Sequence, residues 1–173
     1  MAKKIIIFTD SGDTIIDEAT QVYDDKHIVQ KADFIPGAKE TMDYFEKEGY
    51  RIALVADGEW DSFQNVYREN GCGHWFEEWI VSEVVGEQKP SQKMFKTALD
   101  KMGLTDADKP NIVMIGNNLR KDVLGANEFG IISIWLDWSP RYFHEVRNDL
   151  EKPDYIAKTP ADLVEIIERI ENR

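Results

Sequence analysis

The sequence predicts an α/β fold, a three-layer sandwich around a mainly parallel central sheet, on three observations. Five short runs rich in β-branched and aromatic residues (5–9, 51–56, 80–82, 111–115 and 131–136) alternate with stretches whose apolar residues repeat at helical spacing. The first run, Ile5-Ile6-Ile7-Phe8-Thr9, shows no polar alternation, the pattern of a strand buried on both faces. Polar or glycine-containing clusters follow the strands: Asp10 to Thr14, Asp57-Gly58 and Gly116-Asn117-Asn118. Crossovers between parallel strands bring all the carboxyl ends to one edge, where ligands of open α/β sheets bind, so the sandwich is Rossmann-like in organisation.

The 173 residues suit one domain with a real core, read as a single unit over 1–173. Net charge is -12, from 33 acidic and 21 basic residues, which argues against nucleic acid and anionic membranes as partners. A phosphorylated substrate would need a local cation from Lys, Arg or a metal. The one cysteine, Cys72, lies in Gly71-Cys72-Gly73 and reads as a turn residue, so no internal disulfide forms. No apolar run approaches the ~20 residues of a membrane span, and no secretory leader pattern is present. A cytoplasmic protein is expected.

The first strand ends on Asp10. Residues 17–34 are polar, and 20–23 and 27–31 read as two short strands around Asp24-Asp25-Lys26, a small hairpin flap or minimal cap. Pro36-Gly37 opens a helix with Ala38, Met42 and Phe45 on one face and Gly49 as its stop. The second strand, 51–56, leads to Asp57-Gly58. A helix over 62–70 turns Phe63, Val66 and Tyr67 inward and stops at Gly71. The aromatic stretch Trp75 to Trp79 reads as packing, and 80–82 as a third strand. Ser91 caps a helix whose apolar face is Met94, Phe95, Ala98, Leu99 and Met102, with Gly103 after it. Strand 111–115, a helix over 119–129, strand 131–136 and a loop over 137–142 follow. Thr159-Pro160 starts the last helix, with Leu163, Ile166, Ile167 and Ile170 repeating.

Asp10 taken alone reads either as a turn former or as a ligand-edge carboxylate. Four clusters converging on one edge favour the second: Asp10/Asp13/Thr14, Asp57-Gly58, Lys89, and Asn117/Asn118/Asp122. Carboxylates, amide oxygens and one lysine suit magnesium together with a phosphate. Lys89 would neutralise a phosphate oxygen and Asp10 could attack phosphorus.

With these residues in place, the chain resembles the haloacid dehalogenase-like superfamily over residues 4–138. That family's first motif, a strand ending in Asp-x-Asp-x-Thr, reads here Asp10-Ser-Gly-Asp-Thr14. A Ser or Thr after strand two is replaced by Ala56 in Val55-Ala56-Asp57-Gly58. The third motif matches Lys89-Pro90, and Gly-Asp-x-x-x-x-Asp reads Gly116-Asn117-Asn-Leu-Arg-Lys-Asp122. The resemblance implies a Mg2+-dependent phosphatase acting through an aspartyl-phosphate on Asp10, with Lys89 and Asp122 as further catalytic groups. It implies metal ligation by Asp10, the Gly12 carbonyl and Asn117, with Asp122 at or just beyond the metal. Phosphate or substrate contacts are expected from Asp57, Gly58, Lys89 and Asn118, and Arg141, on the loop after the strand over 131–136, reads equally as a substrate contact or as a surface arginine. Lys89, on a loop, is expected to serve the phosphate with few core contacts.

The departures shape the expected activity. The family's acid/base Asp maps to Gly12, with Asp13 one residue off. Losing such a group costs roughly 10²–10⁴-fold with a poor leaving group. A phospho-enzyme is therefore expected to accumulate with acyl-phosphate or aryl-phosphate donors, unless Asp13 or another acid reaches the water. The alternatives are a metal- or phosphate-binding relative without turnover, or a phosphotransferase. Residues 17–34 are too short for a helical cap, so an open site or a lid from a neighbouring subunit is expected, and a homo-oligomer is one arrangement that supplies it. A phosphorylated receiver domain is set aside because a strand, a helix and another strand follow Lys89. A nicotinamide site is set aside for lack of Gly-x-Gly-x-x-Gly, and a calcium loop because Ile15 holds the obligatory glycine position.

Overall fold

The computed structural model describes residues 4–173; residues 1–3, the start of the single-domain reading, lie outside them. In chain order the strands are β1 Ile6–Thr9, β2 Val22–Tyr23, β3 Val29–Lys31, β4 Arg51–Ala56, β5 Glu78–Val81, β6 Ile112–Gly116, β7 Ile132–Leu136 and β8 Tyr155–Ala157. The helices are α1 Ala38–Lys47, α2 Trp60–Phe63, α3 Ser82–Val85, α4 Gln92–Lys101, α5 Leu124–Phe129 and α6 Asp162–Glu171. Six strands form one sheet in the order β5-β4-β1-β6-β7-β8, with every pairing parallel.

Side chains alternate across a strand, so each strand feeds two cores. Ile7, Ile52, Leu54, Val113 and Ile115 meet Met42 and Phe45 of α1 and Leu163 and Ile167 of α6 on one face. Ile6, Phe8, Ala53, Val55 and Met114 meet Met94, Phe95 and Leu99 of α4 and Ala126 and Phe129 of α5 on the other. Both faces of β1 are dry, with Ile7 and Phe8 fully buried; each such side chain contributes about 1.5–3 kcal/mol relative to exposure. That is why its sequence runs apolar without alternation.

β1 is also where the strand order reverses. The chain runs from β1 out through β4 to β5, then returns to lay β6 on the other side of β1. Such a switch point leaves a crevice beyond the strand's carboxyl end. Asp10 stands there, its N–H continuing the ladder to the Ile115 carbonyl at 2.9 Å.

Several elements differ from the sequence reading. The sheet has a sixth strand, β8, which three residues after Pro153 do not announce; it is defined by pairing, with Ile156 opposite Trp135. The strand read at 80–82 begins at Glu78 and ends at Val81, and Ser82 opens the single turn α3. The helix read over 62–70 starts two residues earlier as α2 and continues as a wide π-helical turn, Gln64–Arg68. The helix over 119–129 likewise opens with a π-helical turn, Leu119–Val123, in which the N–H groups of Lys121, Asp122 and Val123 converge on the Asn118 carbonyl. The last helix begins at Asp162, because residues 159–161 form a tighter turn, with Asp162 N–H donating to the Thr159 carbonyl and Leu163 N–H to the Pro160 carbonyl, both at 3.1 Å, while the Asp162 carboxylate accepts from the N–H groups of Lys158 and Thr159.

β2 and β3 form an antiparallel hairpin, with Val22 opposite Lys31 and Tyr23 opposite Val29. It is docked rather than free-standing: Val29 N–H donates to Ser62 Oγ at 3.0 Å and Asn65 Nδ2 donates to the Val29 carbonyl at 2.9 Å. Among the described residues no helix is long and apolar enough to cross a membrane.

Candidate active site

Lys89 is the centre of the polar cluster beyond β1. Its ammonium donates to Asp10 Oδ1 at 2.9 Å, Asp122 Oδ1 at 2.7 Å and the Val55 carbonyl at 2.8 Å. A lysine has three donors, and all three are used. Burial alone would lower the Lys89 ammonium, but Asp10, Asp122 and Asp57 outweigh it and hold its pKa raised. Lys89 is 3% exposed, so the expectation of a loop lysine with few core contacts is corrected.

Asp122 is equally dry. Its second oxygen accepts from Asn118 N–H at 3.0 Å, so both oxygens have protein partners. Burial, followed by the charge of Asp10, pushes its carboxyl well above the ordinary aspartate range, against the pull of Lys89. A Cβ on Gly116 would stand 2.2 Å from Asp122 Cγ, so glycine at 116 is what lets this carboxylate reach Lys89.

Asp10 Oδ2 faces a different set. The Asn117 amide places one of its two heavy atoms 3.0 Å from Asp10 Oδ2 and 3.2 Å from the Gly12 carbonyl oxygen. As nitrogen, that atom donates to both; as oxygen, it makes three oxygens converge. Magnesium with oxygens at 2.0–2.1 Å in an octahedron sets neighbouring oxygens about 3.0 Å apart. The spacing therefore fits a small hard cation. Among the described residues no trio of His, Cys, Asp and Glu gathers as a metal site; the groups that meet here are one carboxylate, one amide and one backbone carbonyl.

The expected phosphate contacts are only partly gathered. Asp57 Oδ1 accepts from the Lys89 backbone N–H at 2.9 Å and its Oδ2 from Lys121 Nζ at 3.0 Å, so Asp57 holds the Lys89 backbone and the Lys121 ammonium. Gly58 lines the crevice, but its N–H donates to Ser82 Oγ at 2.9 Å and is not free for an anion, which corrects that expectation. Asn118 lines the crevice and caps the following turn, its Oδ1 accepting from Arg120 N–H at 2.9 Å. Lys121, which the sequence reading passed over, lines the crevice with its side chain 39% exposed.

Arg141 is not among the crevice-lining residues, correcting its reading as a substrate contact. Its guanidinium grips both oxygens of Asp13, with Nε to Oδ2 at 2.7 Å, and reaches Asp17 Oδ1 at 2.8 Å. Ser139 Oγ donates to Asp13 Oδ2 at 2.6 Å and Glu18 N–H donates to Asp13 Oδ1 at 3.0 Å. Burial would raise Asp13, but these partners hold its carboxyl below the ordinary aspartate value. Asp13 is fully buried at φ 51°, outside the crevice lining, and its carboxylate is occupied.

The crevice has a volume of about 440 Å³. Its floor is Asp10, Gly12, Lys89 and Asn117, with Asp57 and Lys121 on one side and the hairpin residues Tyr23, His27 and Val29 on another. Glu18 and Tyr142 close the Gly12 side, and Tyr142 Oη bonds the Glu18 oxygens at 2.9 and 2.7 Å. Burial, then the charges of Asp13 and Asp10, raises the Glu18 carboxyl, with Tyr142 opposing. Five carboxylates (Asp10, Glu18, Asp57, Glu59 and Asp122) against two lysines line it, so an anionic ligand needs a further cation. Neither Glu18 nor Lys121 carries a local sequence signal; each is marked only by what it faces.

A family model for haloacid dehalogenase-like hydrolases matches residues 3–130. Glyceraldehyde 3-phosphate phosphatase of Pyrococcus furiosus is 27% identical over 139 residues, which cover 78% of this chain and 55% of that protein. The chain spans about half the length of the curated relatives it matches. Among solved structures, an uncharacterized protein from Listeria monocytogenes serotype 4b superposes with a TM-score of 0.78 at 20% identity, over 98% of this chain and 99% of that one. The HAD-hydrolase YfnB from Bacillus subtilis, solved bound to magnesium, superposes with a TM-score of 0.75 at 15% identity, over 95% and 99%. At those identities the two structures speak for the fold alone.

Proposed function

Because the chain belongs to the haloacid dehalogenase-like hydrolase family, we propose that it is a magnesium-dependent phosphatase of small phosphomonoesters, working through an aspartyl-phosphate on Asp10. One observation carries the reading: the two oxygens of Asp10 face different partners, Oδ1 toward Lys89 and Oδ2 toward Asn117 beside the Gly12 carbonyl. A carboxylate arranged this way can bind a cation through one oxygen and keep the other for phosphorus.

Asp10 Oδ2, the Gly12 carbonyl and Asn117 Oδ1 would hold the ion, and Asp122 acts one step back by fixing Lys89 and Asn118. Bound there, magnesium neutralises phosphate charge in a crevice that is otherwise acidic. Asp10 Oδ1 attacks phosphorus in line with the leaving oxygen. As Asp10 Oδ1 bonds to phosphorus, the Lys89 N–H that it held is released to the charge on the transferred group, and Lys121, held by Asp57, meets an outer phosphate oxygen. The phosphatase named among the relatives is consistent with a phosphomonoester as substrate.

Phosphate release from para-nitrophenyl phosphate and from a panel of sugar and glycerol phosphates tests this. Turnover should require magnesium, stop in EDTA and vanish in Asp10→Asn. Turnover that survives Asp10→Asn, or no hydrolysis and no phospho-enzyme with any donor, overturns the reading and leaves the binding-only alternative.

A further inference from the structure

Hydrolysis through a covalent phosphate needs a proton carrier twice, to protonate the leaving oxygen and then to deprotonate the attacking water. Of the five carboxylates that line the crevice, Asp10 is the nucleophile. Asp122 is bound to Lys89 and Asn118 N–H, and Asp57 to Lys89 N–H and Lys121. Asp13 is buried outside the lining. Glu18 and Glu59 remain.

Position separates these two. A Cβ on Gly12 would stand 2.0 Å from Glu18 Oε1 and 2.8 Å from Glu18 Cδ. The Glu18 carboxylate thus fills the space that a side chain two residues beyond Asp10 would take, and glycine is what leaves that space open. Glu59 is an exposed residue preceding α2, beside β4.

We infer that Glu18 is the proton-transfer group of this site, supplying from six residues further along the chain the carboxylate that position 12 lacks. The assignment rests on the phosphatase reading above. The loop is built to hold it. Arg141 and Ser139 fix Asp13, Asp13 fixes the Glu18 N–H, and Tyr142 steadies the carboxylate itself. The adjacent Gly12-Asp13 pair follows from the same arrangement, with Gly12 making room for Glu18 and Asp13 anchoring it.

The steps balance. Asp10 Oδ1 bonds to phosphorus as the bond to the leaving oxygen breaks, and the Glu18 proton passes to that oxygen to give the free alcohol. Water then bonds to phosphorus as the Asp10–phosphorus bond breaks. Its proton goes to Glu18, releasing inorganic phosphate and restoring both carboxyl groups.

The test compares Glu18→Gln, Glu18→Ala, Glu59→Gln and the double variant Gly12→Asp/Glu18→Ala, with thermal melts to establish folding. Substrates are glycerol phosphate, which has a poor leaving group, and para-nitrophenyl phosphate, which has a good one. Intact mass is read after mixing with acetyl phosphate and magnesium. Wild type should turn over without building up an adduct. Glu18→Gln should lose about 10²–10³-fold on glycerol phosphate, less on para-nitrophenyl phosphate, and accumulate the phospho-enzyme. The double variant should recover activity relative to Glu18→Ala, because the aspartate introduced in place of Gly12 then has the vacated space. That comparison decides the matter even where Glu18→Gln does not fold.

Unchanged leaving-group dependence in the Glu18 variants, or the same pattern in Glu59→Gln instead, overturns the assignment while leaving the phosphatase reading standing. A wild type that neither hydrolyses any donor nor forms an adduct overturns both.

Discussion

Lys89 Nζ and Asp122 Oδ1 lie 2.7 Å apart, with side chains only 1% and 2% exposed. Removing two such charges from water costs several kcal/mol each, repaid only when their remaining hydrogen bonds are made. Here they are: the lysine also reaches Asp10 and the Val55 carbonyl, and the aspartate also accepts from Asn118 N–H. The lysine that would meet a phosphate is therefore also part of the interior.

Lys89→Ala should consequently cost stability as well as activity. The loss expected for an opened buried pair is about 3 kcal/mol, read as a lower urea midpoint at unchanged slope. Lys89→Met/Asp122→Asn should regain part of it, since the fully buried Asp122 charge is gone and only Asp10, at the crevice with its side chain 14% exposed, loses its partner. A midpoint equal to wild type in Lys89→Ala would show that the pair contributes nothing to the fold.

Asn117→Asp should tighten magnesium, because a second carboxylate then faces the ion beside Asp10. An increase of about tenfold in affinity by calorimetry is the expected scale. Without the cation the same change removes an amide that can donate to Asp10 and the Gly12 carbonyl and sets two carboxylates together. The melting temperature should therefore fall in EDTA and recover in magnesium. Weaker binding than wild type would place the cation elsewhere.

Lys121→Ala should raise KM several-fold while leaving kcat within about twofold, the signature of a lost uniform contact rather than a lost transition-state contact. The side chain is part-exposed and paired with Asp57, so little stability should go with it. An unchanged KM for every phosphomonoester would remove Lys121 from the binding site.

The Asp13–Arg141 pair sets a pH dependence of folding. Burial opposes the Asp13 charge, but the Arg141 and Ser139 hydrogen bonds prevail, so its folded pKa lies below the ordinary value of 3.8. A depressed carboxylate contributes stability that is complete above the unfolded pKa and disappears as pH falls through the folded one. In EDTA, Arg141→Ala should be less stable than wild type by about 2 kcal/mol at pH 7, less than for a fully buried pair because the Arg141 side chain is 35% exposed, and the gap should narrow as pH falls, because Asp13 buried without Arg141 protonates at higher pH than in wild type. A gap that stays constant down to about pH 3 would mean that the pair does not titrate with unfolding.

Much of the architecture was legible in the sequence because the central strands are dry on both faces. Ile5 to Phe8, Ile52 to Ala56 and Ile112 to Ile115 had to run apolar, and the residues after such strands had to meet at one edge. That logic brought Asp10, Lys89, Asn117 and Asp122 together. It did not reach β8, whose three residues carry no pattern of their own and exist as a strand only through pairing with β7. Nor could it place Arg141, because a loop arginine near an anion edge looks the same whether it faces the crevice, solvent or a buried Asp13 128 residues away in the chain.

The sequence by itself determined the fold class and pointed to Asp10, Lys89, Asn117 and Asp122 at the carboxyl edge, since both follow from local pattern and from one topological rule, but it marked neither Glu18 nor Lys121. Only the tertiary structure decided which of those groups are free. Asp13, adjacent in sequence to Gly12, is locked by Arg141 and Ser139, while Glu18 lies over Gly12 with Tyr142 behind it. The physical reason is that a carboxylate's chemistry depends on what fills the space around it. Here that space is shaped by a loop 124 to 128 residues distant along the chain.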